Sequence, residues 1–313
     1  MPPATRAVLL MAYGTPERPE QVGPYFTHIR GGRTPSPEAI AHLRARYERV
    51  GGGTPLRRIT EQVRERLESA LAAAGDPRAV YVGMKHWHPF IADTLRRMRD
   101  DRVVDVTAIA LAPHYSRMSV GAYERAIRDA ERELGAPFGT RVVQRWHTRP
   151  EFVAMTARLV EDGLAAFPAA ERDAVTVVFS AHSLPQRIRD WGDPYEAELL
   201  ASSAAVAQHL SLRDWRFAWQ SAGGTSEPWL GPDILAYLET LASEGVRRVL
   251  QVPIGFVAEH LEILFDIDIE AVTRARELGI TLRRTALPNA SPALVETLLA
   301  VVAAADAEVA AEP

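Results

Sequence analysis

The chain of 313 residues contains no cysteine. That single absence removes disulfides, thiolate zinc sites, thiol nucleophiles and cysteine-held iron–sulfur clusters. Any metal chemistry is left to histidine, carboxylates and tyrosine oxygen. Lysine is almost absent too: Lys85 is the only one, and every other fixed cation is arginine. No apolar run reaches the roughly 20 residues that span a bilayer. The opening MPPATRAVLL lacks the charged start and long apolar core of a secretory leader. A cytoplasmic protein without a transmembrane segment is therefore expected. An excess of one charge is also missing. Thirty-six basic and 40 acidic side chains leave a net charge of -4, which argues against nucleic acid as a partner. Walker, Gly-x-Gly-x-x-Gly and His-Glu-x-x-His signatures are absent as well, so nucleotide and zincin chemistry have no support.

What is present is a soluble-type composition, 47% hydrophobic and 24% charged, at about twice the length of a typical domain. Short apolar runs alternate with longer amphipathic segments, the pattern of parallel strands with crossover helices. Strands are expected at 7–12, 79–83, 106–111 and 141–146, then at 175–180, 216–220, 249–254 and 281–284. Helices are expected at 61–73, 90–99, 121–134, 150–166, 195–209, 235–243 and 292–304, with a frayed Ala-rich tail after Val302. The first strand of each set runs into a similar turn, Met11-Ala12-Tyr13-Gly14-Thr15-Pro16 and Ser180-Ala181-His182-Ser183-Leu184-Pro185. Two positions match identically, so chance stands beside duplication, and the repeated order of elements favours duplication. The expected fold is α/β: two similar Rossmann-like halves, each a four-stranded parallel sheet flanked by helices. Their ranges are 1–148 and 149–313, with the C-terminal helix able to pack back across the first half. Ligands of such sheets bind beyond the carboxyl ends of the strands, so Tyr13 and His182 are expected to project into one shared cleft.

Three constellations stand out. Glu259, Glu262, Asp266 and Glu270 fall within roughly 80° on a continuous helix. Such a face is usually just solvated. Here Leu261, Ile263, Leu264, Phe265, Ile267 and Ile269 occupy most of the remaining circumference, which argues for burial and a cation path. His182 ends a strongly apolar strand, where a structural role is the bland reading. Together with Glu262 it would supply a proton acceptor near neutral pH or a nitrogen ligand. Residues 26–60 hold seven arginines against Glu38 and Glu48, suited to carboxylates or phosphates as well as to an ordinary basic face. Within them, Gly51-Gly52-Gly53-Thr54-Pro55 offers backbone N–H groups to an anion. Aromatics near strand ends, among them Tyr13, Tyr25, Tyr123, Trp191 and Trp229, would suit a flat aromatic ligand.

These segments resemble the ferrochelatases, most closely the coproporphyrin III ferrochelatases of Gram-positive-type bacteria, almost end to end. The resemblance rests on Leu10-Met11-Ala12-Tyr13-Gly14-Thr15-Pro16, Thr27-His28-Ile29-Arg30 and Phe179-Ser180-Ala181-His182-Ser183-Leu184-Pro185. Trp219-Gln220-Ser221, Pro228-Trp229-Leu230-Gly231-Pro232, Gly255-Phe256-Val257 and His260-Leu261-Glu262 complete it. It implies a lyase of haem biosynthesis that inserts Fe(2+) into a porphyrin and releases two protons. By position, His182 and Glu262 would handle iron and the pyrrole protons, and Asp266 and Glu270 would continue a metal path. Tyr13 would be the axial oxygen ligand of the product iron. Arg30, Arg46, Tyr47, Thr54 and Tyr123 would line the porphyrin site with Tyr13 or hold its propionates. The implied substrate is coproporphyrin III. The alternatives are protoporphyrin IX or a non-catalytic haem carrier. Iron is then substrate, with no resident cofactor, and the [2Fe–2S] cluster of some relatives has no ligands here. A monomer that passes product to a downstream haem-pathway enzyme is expected. Lys85-His86-Trp87-His88 departs from the Lys-His-x-Glu of some relatives, so Lys85, His86 and His88 carry no assignment.

Overall fold

Among the described residues eight strands form, all parallel; most of the apolar runs are short, β-prone and buried on both faces, whereas those at 139–143 and 281–284 are only partly covered. The computed structural model describes residues 5–135 and 138–310. β1 (Thr5–Ala12), β2 (Ala79–Met84), β3 (Val103–Ala110) and β4 (Gly139–Val143) form one sheet in the order β2-β1-β3-β4. β5 (Thr176–His182), β6 (Trp215–Gln220), β7 (Arg248–Val252) and β8 (Thr281–Arg284) form the second, in the equivalent order β6-β5-β7-β8. The shared order is the internal repeat that the two turn sequences hint at.

In the first sheet, α3 (Leu56–Ala73), α4 (Ile91–Asp100) and α5 (Val120–Leu134) connect successive strands. Side chains alternate faces along a strand, so Ala7, Leu9 and Met11 share one face. They pack with Ile91, Leu95 and Met98 of α4 and with Val120 and Ile127 of α5. The i, i+4, i+7 spacing on α4 is the amphipathic stripe that makes this segment a helix. Tyr13 continues the same odd-numbered series past the end of β1. In the second sheet α7 (Tyr195–His209) and α8 (Ile234–Ser243) are the first two connections. Val178, Ala218 and Val249 pack there with Ile234, Leu238, Ala271 and Ala275. Val178 shares its face of β5 with Ser180 and His182, the latter occupying the place that Tyr13 holds beside β1. α6 (Pro150–Ala165) precedes β5.

Three differences from the sequence reading have physical causes. Two helices, α1 (Val22–Ile29) and α2 (Pro37–Arg49), fill the arginine-rich segment. Only Tyr47 of α2 is buried, so the apolar period that marks the other helices is missing. Its start is nevertheless written locally: the Ser36 hydroxyl accepts from the Ala39 N–H, and Pro37 occupies the first turn. The tail is not frayed after Val302, because α11 runs Pro292–Ala310; residues 311–313 lie outside the described residues. Arg78 is buried and pairs with Asp76 at 2.7 Å and with Asp306 at 2.5 Å, which anchors that last helix.

The acidic segment is also not one helix. It comprises α9 (Leu261–Leu264), a π-helical turn (Asp266–Ala271) and α10 (Val272–Glu277), with Glu259 in the preceding loop. Glu259 therefore lies outside the helical turns, and a uniform 100° step does not describe a segment that contains a wider π turn.

The described chain divides into two compact units. One comprises the residues up to Trp146, 258–260 and those from Asn289 onward; the other comprises His147–Val257 and Leu261–Pro288. The second half expected over 149–313 thus yields 258–260 and the C-terminal helix to the first unit.

Candidate active site

His182 is the last residue of β5 and takes its direction from the strand pleat. Its even-numbered face is the one on which Ala271 and Ala275 pack against Val178, so the chain after β7 returns over the imidazole. Nε2 lies 3.4 Å from Glu262 Oε1, with the two side chains 28% and 33% exposed. Nδ1 meets the Ser183 carbonyl. A carbonyl only accepts, so Nδ1 carries a proton and Nε2 is the variable site. Burial opposes charging His182. The Glu262 charge and hydrogen bond, the Ser183 carbonyl and the Asp266 charge outweigh it, and its pKa rises to about 8. Two acceptors 3.4 Å apart can share one proton, or bind one cation through bonds of about 2.1 Å. That is the arrangement a metal ligand pair needs, with the other ring nitrogen held by a backbone carbonyl.

The surrounding backbone is fixed at several points. The His182 carbonyl accepts from Tyr195 Oη at 3.2 Å, and the Ser183 N–H donates to the Gln220 carbonyl at 2.7 Å. Ser183 Oγ donates to the Leu230 carbonyl at 2.8 Å, which ties the Pro228–Pro232 segment over the strand end. The Trp229 ring then sits 6.3 Å from the His182 ring, centroid to centroid. Gly255 is required where the loop after β7 crosses β5, since a Cβ there would stand 2.8 Å from Ala181 Cβ.

Asp266 is buried in the π turn and Glu270 is exposed. Asp268, between them, is held away by Arg284 of β8 through two bonds of 2.6 and 2.8 Å. Among the described residues no three His, Asp or Glu side chains converge on a single metal position. The structure therefore brings together His182 and Glu262, with Asp266 near enough to act on the imidazole and Glu270 exposed.

The porphyrin-binding candidates all belong to the first unit. Tyr13 is 43% exposed at the end of β1, one of few large apolar side chains left open. Its backbone continues the sheet, because the Lys85 N–H donates to the Ala12 carbonyl and the His86 N–H to the Tyr13 carbonyl. Gly14 turns the chain at φ +93° directly against Trp87, where a Cβ would stand 2.8 Å from the backbone nitrogen. Tyr123 of α5 is buried, and burial with the nearby Tyr13 pushes its phenol up. Tyr47 is buried as well, its hydroxyl 3.2 Å from Thr15 Oγ1, which in turn lies 2.9 Å from Thr54 Oγ1. Arg30 is exposed, with its guanidinium 5.9 Å from the Phe26 ring, and Arg46 is half-buried. Of the aromatics expected to greet a flat ligand, Tyr25 and Tyr123 are core, whereas Tyr13 and Trp191 are exposed.

Lys85 and His86, which carried no assignment, join this group. Lys85 Nζ stands 5.8 Å from the Tyr13 ring and 5.7 Å from the Tyr123 ring. Burial, then Arg125, lowers its pKa to about 8. The His86 ring lies 4.5 Å from that of Tyr13, and its Nδ1 is 3.2 Å from His28 Nδ1. Burial, Lys85 and His28 lower the His86 pKa to about 3, so it is neutral at physiological pH. The available signal was the uniqueness of Lys85. A recess of about 520 Å³ lies elsewhere, along the outer edge of β2 between Arg64 and Arg97, and contains none of these residues.

Comparison with known proteins is consistent across the chain. The Ferrochelatase family model matches residues 5–306. A ferrochelatase of Herpetosiphon aurantiacus is 50% identical over 300 residues, covering 96% of this chain and 98% of that one. A coproporphyrin III ferrochelatase of Geobacillus kaustophilus is 40% identical over 301 residues, 95% of each chain. The cobalt complex of the sirohydrochlorin chelatase SirB from Bacillus subtilis subspecies spizizenii shares the fold. Its TM-score is 0.58 at 10% identity, over 96% of this chain and 95% of that one. With near-complete sequence coverage and a chelatase fold, the chain belongs to the ferrochelatase family, metal-chelating lyases of haem biosynthesis.

Proposed function

We propose that the protein inserts Fe(2+) into coproporphyrin III, with His182 and Glu262 as the pair that handles the metal and the pyrrole protons. The observation that carries this reading is the 3.4 Å approach of His182 Nε2 to Glu262 Oε1 at a strand's carboxyl end. Metallation exchanges one dication for two protons, so a base and a transient metal ligand are needed at one place. A single His/carboxylate pair binds ferrous iron without the grip of thiolates, and can release it. The cation would displace the Nε2 proton to solvent on binding to the pair; as it passes to the ring nitrogens, the vacated His182 Nε2 and Glu262 would take up the two pyrrole protons and release them to solvent. Asp266, whose charge acts on His182, and the exposed Glu270, four and eight residues after Glu262, would draw the cation toward the pair.

In the same reading the first unit binds the macrocycle. Arg30 and Arg46 supply guanidinium forks for propionates, with Tyr47 and Thr54 as hydroxyl partners. Tyr13 offers its phenol oxygen as axial ligand to the product iron, and Tyr123 lines the porphyrin site with it. The coproporphyrin choice draws support from this arginine-rich segment, since that substrate carries four carboxylates, and from the coproporphyrin-named relatives near 40% identity. The protein works as a cytoplasmic monomer and passes its product to a downstream haem-pathway enzyme. The test is anaerobic incubation with Fe(2+) and either coproporphyrin III or protoporphyrin IX, followed by absorbance. Faster metallation of coproporphyrin III is expected. Preference for protoporphyrin IX would overturn the substrate, and tight haem binding without turnover would overturn the enzyme.

A further inference from the structure

The second sheet carries three polar side chains where its pattern calls for apolar ones. Ser180 of β5, Gln220 of β6 and Gln251 of β7 are all fully buried on adjacent strands. Their neighbours along the strands are Phe179, Ala181, Trp219, Leu250 and Val252, all buried. Gln251 Nε2 donates to Ser180 Oγ at 2.9 Å, and Ser180 Oγ donates to Gln220 Oε1 at 2.9 Å. Gln251 Nε2 also reaches Gln220 Oε1 at 3.4 Å. These bonds settle which end of the Gln220 amide points which way. Its Nε2 is directed to the main-chain carbonyl of Glu262, at 3.3 Å. Reversed, that amide would set an oxygen against an oxygen.

Gln220 therefore touches both halves of the His182–Glu262 pair. Its backbone is in register with His182, and its carbonyl accepts from the next residue, Ser183. Its side chain holds the backbone of Glu262. Buried polar groups in an apolar sheet are retained at a cost when they specify one geometry. We propose that Gln220, oriented by Ser180 and Gln251, is a positioning residue that sets the separation of His182 Nε2 and Glu262 Oε1 for metal insertion. This rests on the reading of His182 and Glu262 as the insertion pair, and adds the element that holds them.

The test uses the full chain with Gln220→Leu and Ser180→Ala, read by metallation kinetics and by nitrogen-15 histidine NMR. The His182 signal is assigned by its loss in His182→Ala. Gln220→Leu is expected to lower kcat roughly 10- to 100-fold, the usual effect of losing a partner that orients a metal ligand. KM for the porphyrin is expected to stay within about twofold, because uniform substrate binding is untouched. The His182 titration is expected to move down from about 8 toward its ordinary value as Glu262 drifts away. Ser180→Ala removes one hydroxyl, is the gentler variant, and is expected to move both readouts less in the same direction. If Gln220→Leu does not fold, Ser180→Ala decides. An unmoved titration in a folded variant would overturn the proposal, as would a loss confined to KM. A shifted titration with unchanged kcat would uphold the clamp and refute the role of the pair in metal insertion.

Discussion

Replacing Glu262 by glutamine tests the electrostatics of the site most directly. In the native protein the Glu262 charge and hydrogen bond, with Ser183 and Asp266, lift His182 against its burial to about 8. The unprotonated fraction at pH 7 is then about one-tenth; at an ordinary histidine value of about 6.5 it would be about three-quarters. If metal must displace the Nε2 proton, kcat/KM for Fe(2+) should rise roughly fiftyfold between pH 6 and pH 8. Glu262→Gln should move that acid limb down by about one pH unit or more, even as the plateau falls with the lost ligand. The assay is anaerobic metallation across pH 6–9 in both proteins. Stability gives an independent reading. The folded His182 value is raised, so its contribution is complete below about pH 6.5 and is lost as pH rises through about 8. It is worth up to about 2 kcal/mol. The urea-unfolding gap between native and Glu262→Gln protein should therefore be widest near pH 6 and close toward pH 9. An acid limb at the same pH in both proteins would refute the coupling.

Other outcomes follow from single contacts. His182→Ala is expected to abolish metallation while porphyrin binding, followed by fluorescence quenching, survives; normal turnover would remove His182 from the mechanism. Gly255→Ala places a methyl group 2.8 Å from Ala181 Cβ, and is expected to cost about 1–3 kcal/mol and to lower kcat by displacing the chain that carries Glu262. An unchanged melting temperature would show that the loop yields freely. Asp306→Ala leaves the buried Arg78 paired with Asp76 but without its second carboxylate, and should cost on the order of 1–3 kcal/mol in chemical denaturation. Arg78 and Arg6 hold the Asp306 carboxyl below the usual range against its burial, so this contribution should vanish as pH falls through that lowered value. A variant as stable as the native protein at pH 7 would contradict the anchoring of α11.

Much of the architecture was open to local reading, because a parallel strand is a short buried run and a crossover helix has its own period. Val8, Leu9 and Leu10 can only be interior, and Tyr195–His209 and Thr281–Arg284 have the same bounds in pattern and in structure. The lack of cysteine likewise excluded thiolate chemistry with no coordinates. Helix α2 escaped because it buries one residue and so shows no stripe. The break of the acidic segment into a loop, a short helix and a π turn went unseen because a π turn leaves no mark on composition.

The site itself divides along the same line. Strand alternation alone puts His182 on the face of Val178 and Ser180. That it meets a carboxylate eighty residues later depends on where the chain after β7 comes back, and on Gly255 letting it pass Ala181. Lys85 stood out by being alone, yet its place between Tyr13 and Tyr123 needed β2 and α5 to be set beside β1. The buried bonds among Ser180, Gln220 and Gln251 were the least visible, since each is one polar letter in an apolar run. Local sequence determines what a segment can be, through periods of a few residues. Which residues meet is decided by contacts between distant segments, and only the packed sheets and helices specify those.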